Sequence, residues 1–364
     1  MRAFVEISLR AIANNIALIK SKTSAQILAV VKADAYGHGL IPVAKCAISS
    51  GATWLGTALL EEALTLRQSG LSTPIIAWLT PPSSDFKAAI ESNIDLSIPS
   101  LKHLELVVAA GKALGKKPRV HIEVDTGMGR GGLLGEWQEF LIAVKGAEVE
   151  VVGFWSHFAR ADEPDEIANV NQLKEFENKL AELRQHGITP EFIHIANSAA
   201  TLTNPTSHKE IVRLGISMYG LSPDTKILGS SESLDLEPAM TLKAEIHLVK
   251  RVPAGSPIGY GATEVTSRDT KLAIVAMGYS DGIPRSTTNQ AGVYVAGAKA
   301  PIIGRVSMDQ FVVDLGPDSD AMAGDIAEIF GAHGYSIDDW ALAAGTINYE
   351  IVTRIASRVP RIYA

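Results

Sequence analysis

Lys32 stands where a lysine can do chemistry. It closes the apolar run 27–31 in the stretch ILAVVKADAYGHG, and Gly37 and Gly39 open a turn just after it. Five apolar residues without a polar break suit a strand buried on both faces. A lysine leaving such a strand is near low dielectric, which favours its neutral amine. A neutral amine is a nucleophile, and a Schiff base with a carbonyl compound is one natural use of it. The plainer use is a lysine bent out to solvent or paired with a carboxylate. Other reactive types follow apolar runs in the same way: Asp125 and Arg130, His157, Asn197 and Ser198, and Arg213 with Gly215 and Ile216. Taken singly, each has a structural use. Ser198 can cap a helix, Gly215 can serve a turn, His157 can be a satisfied core histidine, and Arg213 can pair with a carboxylate.

The elements that would carry these residues alternate. Ser8 can cap a helix running to about Lys20, with Leu9, Ile12, Ile16 and Ile19 at helical spacing. Strand signals then fall at 27–31, 54–57, 74–79, 94–98, 119–124, 149–155, 191–195 and 211–214. Helical signals lie between them at 40–49, 61–68, 84–91, 101–114, 136–144, 165–186 and 197–201. Eight alternations predict an N-terminal (β/α)8 TIM-type barrel over residues 1–235. A doubly wound open sheet is the competitor, because alternation does not say whether the sheet closes. In a barrel the reactive side chains gather at the carboxyl ends of the strands, and phosphate sites are often built after strands seven and eight. Here those loops are NSAAT, 197–201, and GIS, 215–217. A phosphate site and a Schiff-base lysine on one face together suggest pyridoxal 5′-phosphate.

The rhythm changes around 230–238. SSESLDLEP is polar and ends in proline, and reads as a linker. Beyond it LKAEIHLV, KLAIVAMG, GVYVAG, PIIGRV, QFVVDLG and DIAEIFG are short runs punctuated by Gly and Pro. They predict a C-terminal, mainly antiparallel β domain over 236–364, with a helical piece at 337–343. A chain of 364 residues suits two domains. Net charge is −7 with Lys and Arg scattered, which argues against a nucleic-acid partner. No run approaches the ~18 apolar residues of a membrane span, and MRAFVEISLRAIANN lacks the apolar core of a secretion signal. Cys46 is the only cysteine, so no intrachain disulfide forms, and a reducing, cytoplasmic setting is expected. The histidines show no metal-ligand spacing, and no metal is expected.

One motif misleads. GMGRGG satisfies G-x-G-x-x-G at Gly127, Gly129 and Gly132. A dinucleotide loop brings bare backbone to a pyrophosphate directly after a strand, whereas Asp125 and Thr126 intervene here.

AVVKADAYGHG, HIEVDTGMGRGG, SHFARADE, IHIANSAA, VRLGISMYG, IGYGATE, MGYSDGIPR, GRVSMDQ and INYE, in this order and spacing, resemble the pyridoxal-phosphate-dependent alanine racemases. The resemblance runs from Phe4 to Tyr363. It implies that Lys32 carries the cofactor and is one of two catalytic bases, with Tyr260 as the other. Two bases are needed because the α-proton leaves one face and returns to the other. A tyrosine is a poor base at neutral pH unless cations stabilise its phenolate; the resemblance assigns His157 and Arg213 to that environment. It also sets Arg213 against the pyridine nitrogen and Arg130 on the substrate carboxylate. Tyr36, Ser198, Gly215, Ile216 and Tyr349 fall to the cofactor phosphate, and the Met308 N–H to the substrate carboxylate. Tyr279 and Tyr349 fall to a narrow inner gate, and Asp309 to the approach beside it. A head-to-tail homodimer is implied, with Tyr260, Tyr279 and Met308 arriving from the second subunit.

One position departs from the family. Many members carry a carbamylated lysine seven residues before the arginine, and Glu123 stands there instead. A carboxylate can hold Arg130 by charge-assisted hydrogen bonds, so an unmodified, negatively charged orienting residue is expected. The expected activity is interconversion of L- and D-alanine, with a broader racemase of serine or lysine as the near alternative. An amino-acid decarboxylase on a similar barrel is opposed by the lack of a cysteine in the C-terminal domain. A non-enzymatic pyridoxal-phosphate carrier is opposed by the β domain bearing Tyr260. A dehydrogenase is the remaining outsider.

Overall fold

The computed structural model describes residues 1–364. The chain opens with strand β1 (Ala3–Ile7) and a helix, Leu9–Lys22. Eight strands follow: β2 (Gln26–Val30), β3 (Trp54–Leu59), β4 (Ile75–Leu79), β5 (Asp95–Ile98), β6 (Arg119–Glu123), β7 (Glu150–Trp155), β8 (Phe192–His194) and β9 (Ile211–Leu214). All are parallel, and helices alternate with them. The pairing order is β8-β7-β6-β5-β4-β3-β2-β9. The two end strands are consecutive in the chain, and the Arg213 N–H donates to the Ala196 carbonyl at 3.0 Å, tying one to the other. The open-sheet alternative is therefore set aside in favour of a barrel.

The strands form where they do because they are apolar on both faces. Leu28, Leu55, Ile75, Ile76, Leu96, Val120 and Ile122 are all buried, and full burial of such aliphatic side chains stabilises by roughly 1.5–3 kcal/mol each. Two of the helices start at polar caps in this way: Ser100 Oγ accepts from the His103 N–H, and Asp85 from the Ala88 N–H. Aromatic side chains pack within the barrel beside buried polar ones. Trp54 meets Phe192 edge-on at 4.8 Å, and Trp78 lies 6.0 Å from Trp155.

The remaining strands are β10 (Met240–Val252), β11 (Pro257–Ile258), β12 (Glu264–Val265), β13 (Thr270–Val275), β14 (Gly292–Val295), β15 (Ala298–Pro301), β16 (Phe311–Gly316), β17 (Ile326–Phe330) and β18 (Arg361–Tyr363). β10 is long enough to serve three partners. It pairs antiparallel with β1 and β17 through its first half and with β13 through its second, with register shifts between Leu242 and Lys243 and between Ile246 and Leu248. β16 pairs antiparallel with β13, and β14 with β15 and β17. Only β1 and β18 run parallel. This mainly antiparallel sheet is the second part of the predicted fold.

Contacts group the chain into two compact units. One is Ile12–Ala35 with Leu40–Glu237; the other is Met1–Ala11, Tyr36–Gly39 and Pro238–Ala364. The sequence reading counts residues 1–11 with the barrel, but AFVEI pairs with β10 and groups with the second unit. PIIGRV also differs: the strand there is Ala298–Pro301, and Ile302 makes only an isolated bridge to Val313. No helix is long and apolar enough to cross a membrane.

Candidate active site

Lys32 follows β2 at the carboxyl end of the barrel and is half-buried. The four residues after it, Ala33 to Tyr36, all have φ of 53–54°. They form a left-handed turn without a glycine, a conformation costing about 1–2 kcal/mol per residue. Glu62 offsets part of that cost. Its carboxylate accepts from the N–H groups of Ala33 at 2.6 Å and of Ala58 and Leu59 at 3.1 Å. The Asp34 carboxylate accepts from the Leu40 N–H at 2.7 Å and starts the next helix. Burial, then the charges of Arg130 and Arg213, pull the Lys32 ammonium below its usual range, with Glu62 opposing. The site thus favours the amine form that nucleophilic and base chemistry needs.

Arg213, on β9, is 3% exposed. Its Nη2 is held among the Ser156 carbonyl at 2.9 Å, the Ile195 carbonyl at 3.1 Å and His157 Nδ1 at 2.9 Å, while Nη1 meets His194 Nδ1 at 3.1 Å. Its guanidinium lies 5.1 Å from the Trp155 ring centre. Burial pulls Arg213 down to about 9, with Glu123 opposing, so it stays cationic at neutral pH. A guanidinium only donates, so His157 Nδ1 must accept and its proton sits on Nε2. Burial, then Arg213, Arg130 and Lys32, hold His157 well below its usual range, which keeps the imidazole neutral.

Glu123 ends β6. Ser97 Oγ donates to its Oε2 at 3.1 Å, and Trp155 Nε1 donates to Ser97 Oγ at 3.0 Å. The expected hydrogen bond from Arg130 is not made; Arg130 acts on Glu123 through its charge alone. The expected full negative charge is also corrected. Burial pushes the Glu123 carboxyl up to about 7, against Ser97, Arg130 and Arg213.

The loop carrying Arg130 is closed by its own acid. The Asp125 carboxylate accepts from the N–H groups of Gly127, Met128 and Gly129 at 2.9–3.2 Å. Burial opposes that charge, but the three backbone donors hold the carboxyl below its usual range. Gly127, Gly129 and Gly132 all have positive φ. The glycines therefore serve a self-satisfied turn, and the donors a pyrophosphate would need are taken.

The two phosphate-type loops meet. Asn197, not Ser198, caps the short helix Ser198–Thr203, its side chain accepting from the Ala200 N–H at 3.0 Å. Ser198 Oγ is left free for the next loop, where it accepts from the Gly215 N–H at 2.9 Å and the Ser217 N–H at 3.4 Å. Ser198, Gly215 and Ile216 are buried. Ser217 Oγ is buried beside them with no protein partner, a donor that an oxygen-rich group would satisfy.

The second unit holds the other named residues. Tyr36 is buried, and its ring lies 6.2 Å from that of Tyr349; burial pushes its phenol up. Tyr260 opens a turn between β11 and β12 and is 71% exposed. A Cβ on Gly261 would stand 3.2 Å from Arg305 Nη1, so this turn lies against the segment leading to Met308. Tyr279, Met308 and Asp309 are joined through Ser280, whose N–H and Oγ donate to the Met308 carbonyl at 2.9 and 2.7 Å and whose Oγ also reaches Asp309. Arg358 bridges Asp309 and the fully buried Asp281 carboxylate at 2.6 Å each. Arg2 donates to both oxygens of Asp281, sharing Oδ1 with Arg358.

Sequence reasoning missed Glu62, because an acid in the first turn of a helix reads as a solvated face. It missed His194 and His121 because single histidines inside strands carry no spacing signal. Reading Glu62 three residues after Leu59, as a capping acid, was the one available clue.

The comparisons with known proteins agree along the chain. Residues 7–223 match the family model for the alanine racemase N-terminal domain, and residues 239–363 that for the C-terminal domain. An alanine racemase from Thermobifida fusca is 47% identical over 374 residues, covering 100% of this chain and 99% of its own. The crystal structure of alanine racemase from D-cycloserine-producing Streptomyces lavendulae is 46% identical with a TM-score of 0.98, covering 100% of this chain and 97% of that one. The Bacillus anthracis alanine racemase solved with bound L-Ala-P is 38% identical with a TM-score of 0.92, covering 100% and 95%. This chain belongs to the alanine racemase family.

Proposed function

We propose the following assignment of roles for the interconversion of L- and D-alanine that this racemase catalyses. The observation that carries it is the barrel mouth, where a lysine held toward its neutral form shares one end of the sheet with a buried arginine–histidine pair and a phosphate-type double loop. These residues fit pyridoxal 5′-phosphate. Lys32 Nζ would supply the tether, Arg213 would hold the ring nitrogen, and Ser198, Gly215, Ile216 and the partnerless Ser217 Oγ would hold the phosphate. Tyr36 and Tyr349 are assigned to the same phosphate. When bound, the cofactor supplies an electron sink that acidifies the substrate Cα–H.

The chain's own groups do the rest. Arg130 and the Met308 N–H orient the substrate carboxylate, and Glu123 tunes Arg130 through its charge. Lys32 Nζ and Tyr260 Oη take and return the α-proton on opposite faces. His157, with its proton on Nε2, and the cationic Arg213 are the groups assigned to the surroundings of Tyr260 Oη. Arg213 would donate to the ring nitrogen of the bound cofactor without protonating it, because arginine gives up its proton reluctantly. That limits electron withdrawal and with it transamination. Arg213→Glu is therefore expected to raise pyruvate formation from alanine; unchanged pyruvate formation would sink this role. Tyr279 and Tyr349 form a gate whose narrowness suits a methyl side chain, with Asp309 beside it. A homodimer in which Tyr260, Tyr279 and Met308 complete the other protomer's site is part of this reading. The exposure of Tyr260, at 71%, and Met308, at 55%, supports it. The single cysteine supports a cytoplasmic setting.

The test is L-alanine with purified protein in deuterated water. The expected products are D-alanine and α-deuterated alanine in both configurations. No exchange would overturn the assignment, and equal rates with L-serine or L-lysine would replace alanine with a broader substrate class.

A further inference from the structure

A buried hydrogen-bonded chain runs through the barrel from Arg213 to the other end of the sheet. Arg213 Nη1 meets His194 Nδ1 at 3.1 Å, His194 Nε2 meets His121 Nδ1 at 3.0 Å, and His121 Nε2 meets Asp95 Oδ2 at 3.3 Å. Arg119 grips Asp95 with two bonds, of 2.9 and 3.1 Å, and reaches the exposed Glu150 at 3.4 Å. His121 and His194 have no solvent exposure, and Asp95 has 2%. Trp155 stacks on His194 at 5.9 Å, and Trp54 meets His121 edge-on at 5.4 Å. Gly153 makes room for the His121 ring: a Cβ there would stand 1.8 Å from Nδ1.

Donor chemistry leaves one arrangement of protons. The guanidinium cannot accept, so His194 Nδ1 accepts and its proton sits on Nε2. That proton goes to His121 Nδ1, which leaves the His121 proton on Nε2 and pointing at Asp95. Any other arrangement strips both nitrogens of one ring or sets two donors face to face. Every bond points from Arg213 toward the carboxylate, and aligned bonds in a dry interior polarise one another. Arg119, at the rim, anchors the acid but is not needed to polarise the histidines.

We propose that Asp95 is a positioning residue for Arg213, acting through His121 and His194 to fix the tilt of the guanidinium and the hold on its Nη1 proton. Its catalytic consequence rests on the role given to Arg213 above, whereas the tautomers do not.

The test uses holoenzyme labelled with ¹⁵N-histidine. The expected spectrum shows His121 and His194 as neutral Nε2–H tautomers, and Asp95→Asn shifts the His194 Nδ1 resonance. In the same variant kcat is expected to fall about tenfold with KM for alanine within about twofold, because the lost interaction acts in the transition state. Asp95→Glu is expected to recover part of kcat. Arg119→Met, which keeps the carboxylate, is expected to hold kcat within about twofold while lowering thermal stability. A purely structural role predicts that both sites lose activity and stability together, and that result overturns the proposal. An Nδ1–H tautomer at either histidine overturns it as well, and this reading is available from wild-type protein even if Asp95→Asn does not fold. Protein with both tautomers as expected but no racemisation would refute the assigned reaction and not the proton arrangement.

Discussion

The barrel mouth and the outer loops of the β unit hold their reactive groups in opposite ways. At the mouth, Arg213 is held through its two terminal nitrogens by two carbonyls and two imidazoles inside the protein. Glu62 ties down three N–H groups around Lys32, and Asp125 closes the Arg130 loop on itself. In the β unit, Tyr260 stands 71% exposed on a two-stranded hairpin. The first region is preorganised by its own chain, which is what electrostatic catalysis requires. The second presents a phenol whose surroundings this chain alone does not enclose. On the roles proposed above, Lys32 would be the base set by folding and Tyr260 the base set by assembly.

The largest effects separate the two regions. Lys32→Ala is expected to abolish racemisation and the visible absorption of the cofactor together. Tyr260→Phe should lower kcat by roughly 10²–10⁴, the usual worth of a positioned general base, with that absorption intact. If Tyr260→Phe also loses the absorption, the two regions are not separable. Next comes the carboxyl whose pKa is raised. Folded Glu123 keeps its proton to about 7, while the unfolded chain releases it near 4.5. Its contribution is full below 4.5 and is lost as pH rises to about 7, about 3 kcal/mol in all. Denaturant titrations of Glu123→Gln should lack this loss, so the gap between variant and wild type moves in the variant's favour over that range. A constant gap would mean the carboxyl is not desolvated.

Glu62→Ala should cost about 1–3 kcal/mol, since three donors lose their acceptor. It should also weaken cofactor retention, measured by dialysis; retention equal to wild type would show that the turn holds Lys32 unaided. The smallest effect is expected in the β unit. Arg2 and Arg358 hold the Asp281 carboxyl down to about 2. Its contribution is present above about 4 and lost as pH falls toward 2, and the half-exposed arginines screen it to about 1 kcal/mol. Asp281→Asn should melt earlier at pH 6 but converge on wild type near pH 2.

The barrel was readable because doubly buried strands are uninterrupted apolar runs, and eight of them recur with helical patterns between. The strand ends then pointed to Lys32, His157, Ser198 and Arg213 without any geometry. β1 was passed over because AFVEI, though it alternates, runs straight into a helix with only Ser8 between. The strand at Ala298–Pro301 was displaced in the reading toward PIIGRV, whose Gly304 turns away at positive φ. The left-handed turn was invisible because ADAY holds no glycine. Glu123 was read as fully charged, since burial of a strand-end acid cannot be judged from its neighbours in sequence.

The left-handed turn also governs which sequences this segment tolerates. Ala33, Asp34, Ala35 and Tyr36 share one mirror-image conformation, and a branched Cβ fits it worst. Valine, isoleucine or threonine at Ala33 or Ala35 would be excluded on backbone grounds before any contact is counted. Glycine at Ala33 would relax the turn, but it would also free the unfolded chain, so the two effects largely cancel. In a library drawn at these positions, small and asparagine-like residues should survive and branched ones should vanish, whatever substrate the selection uses.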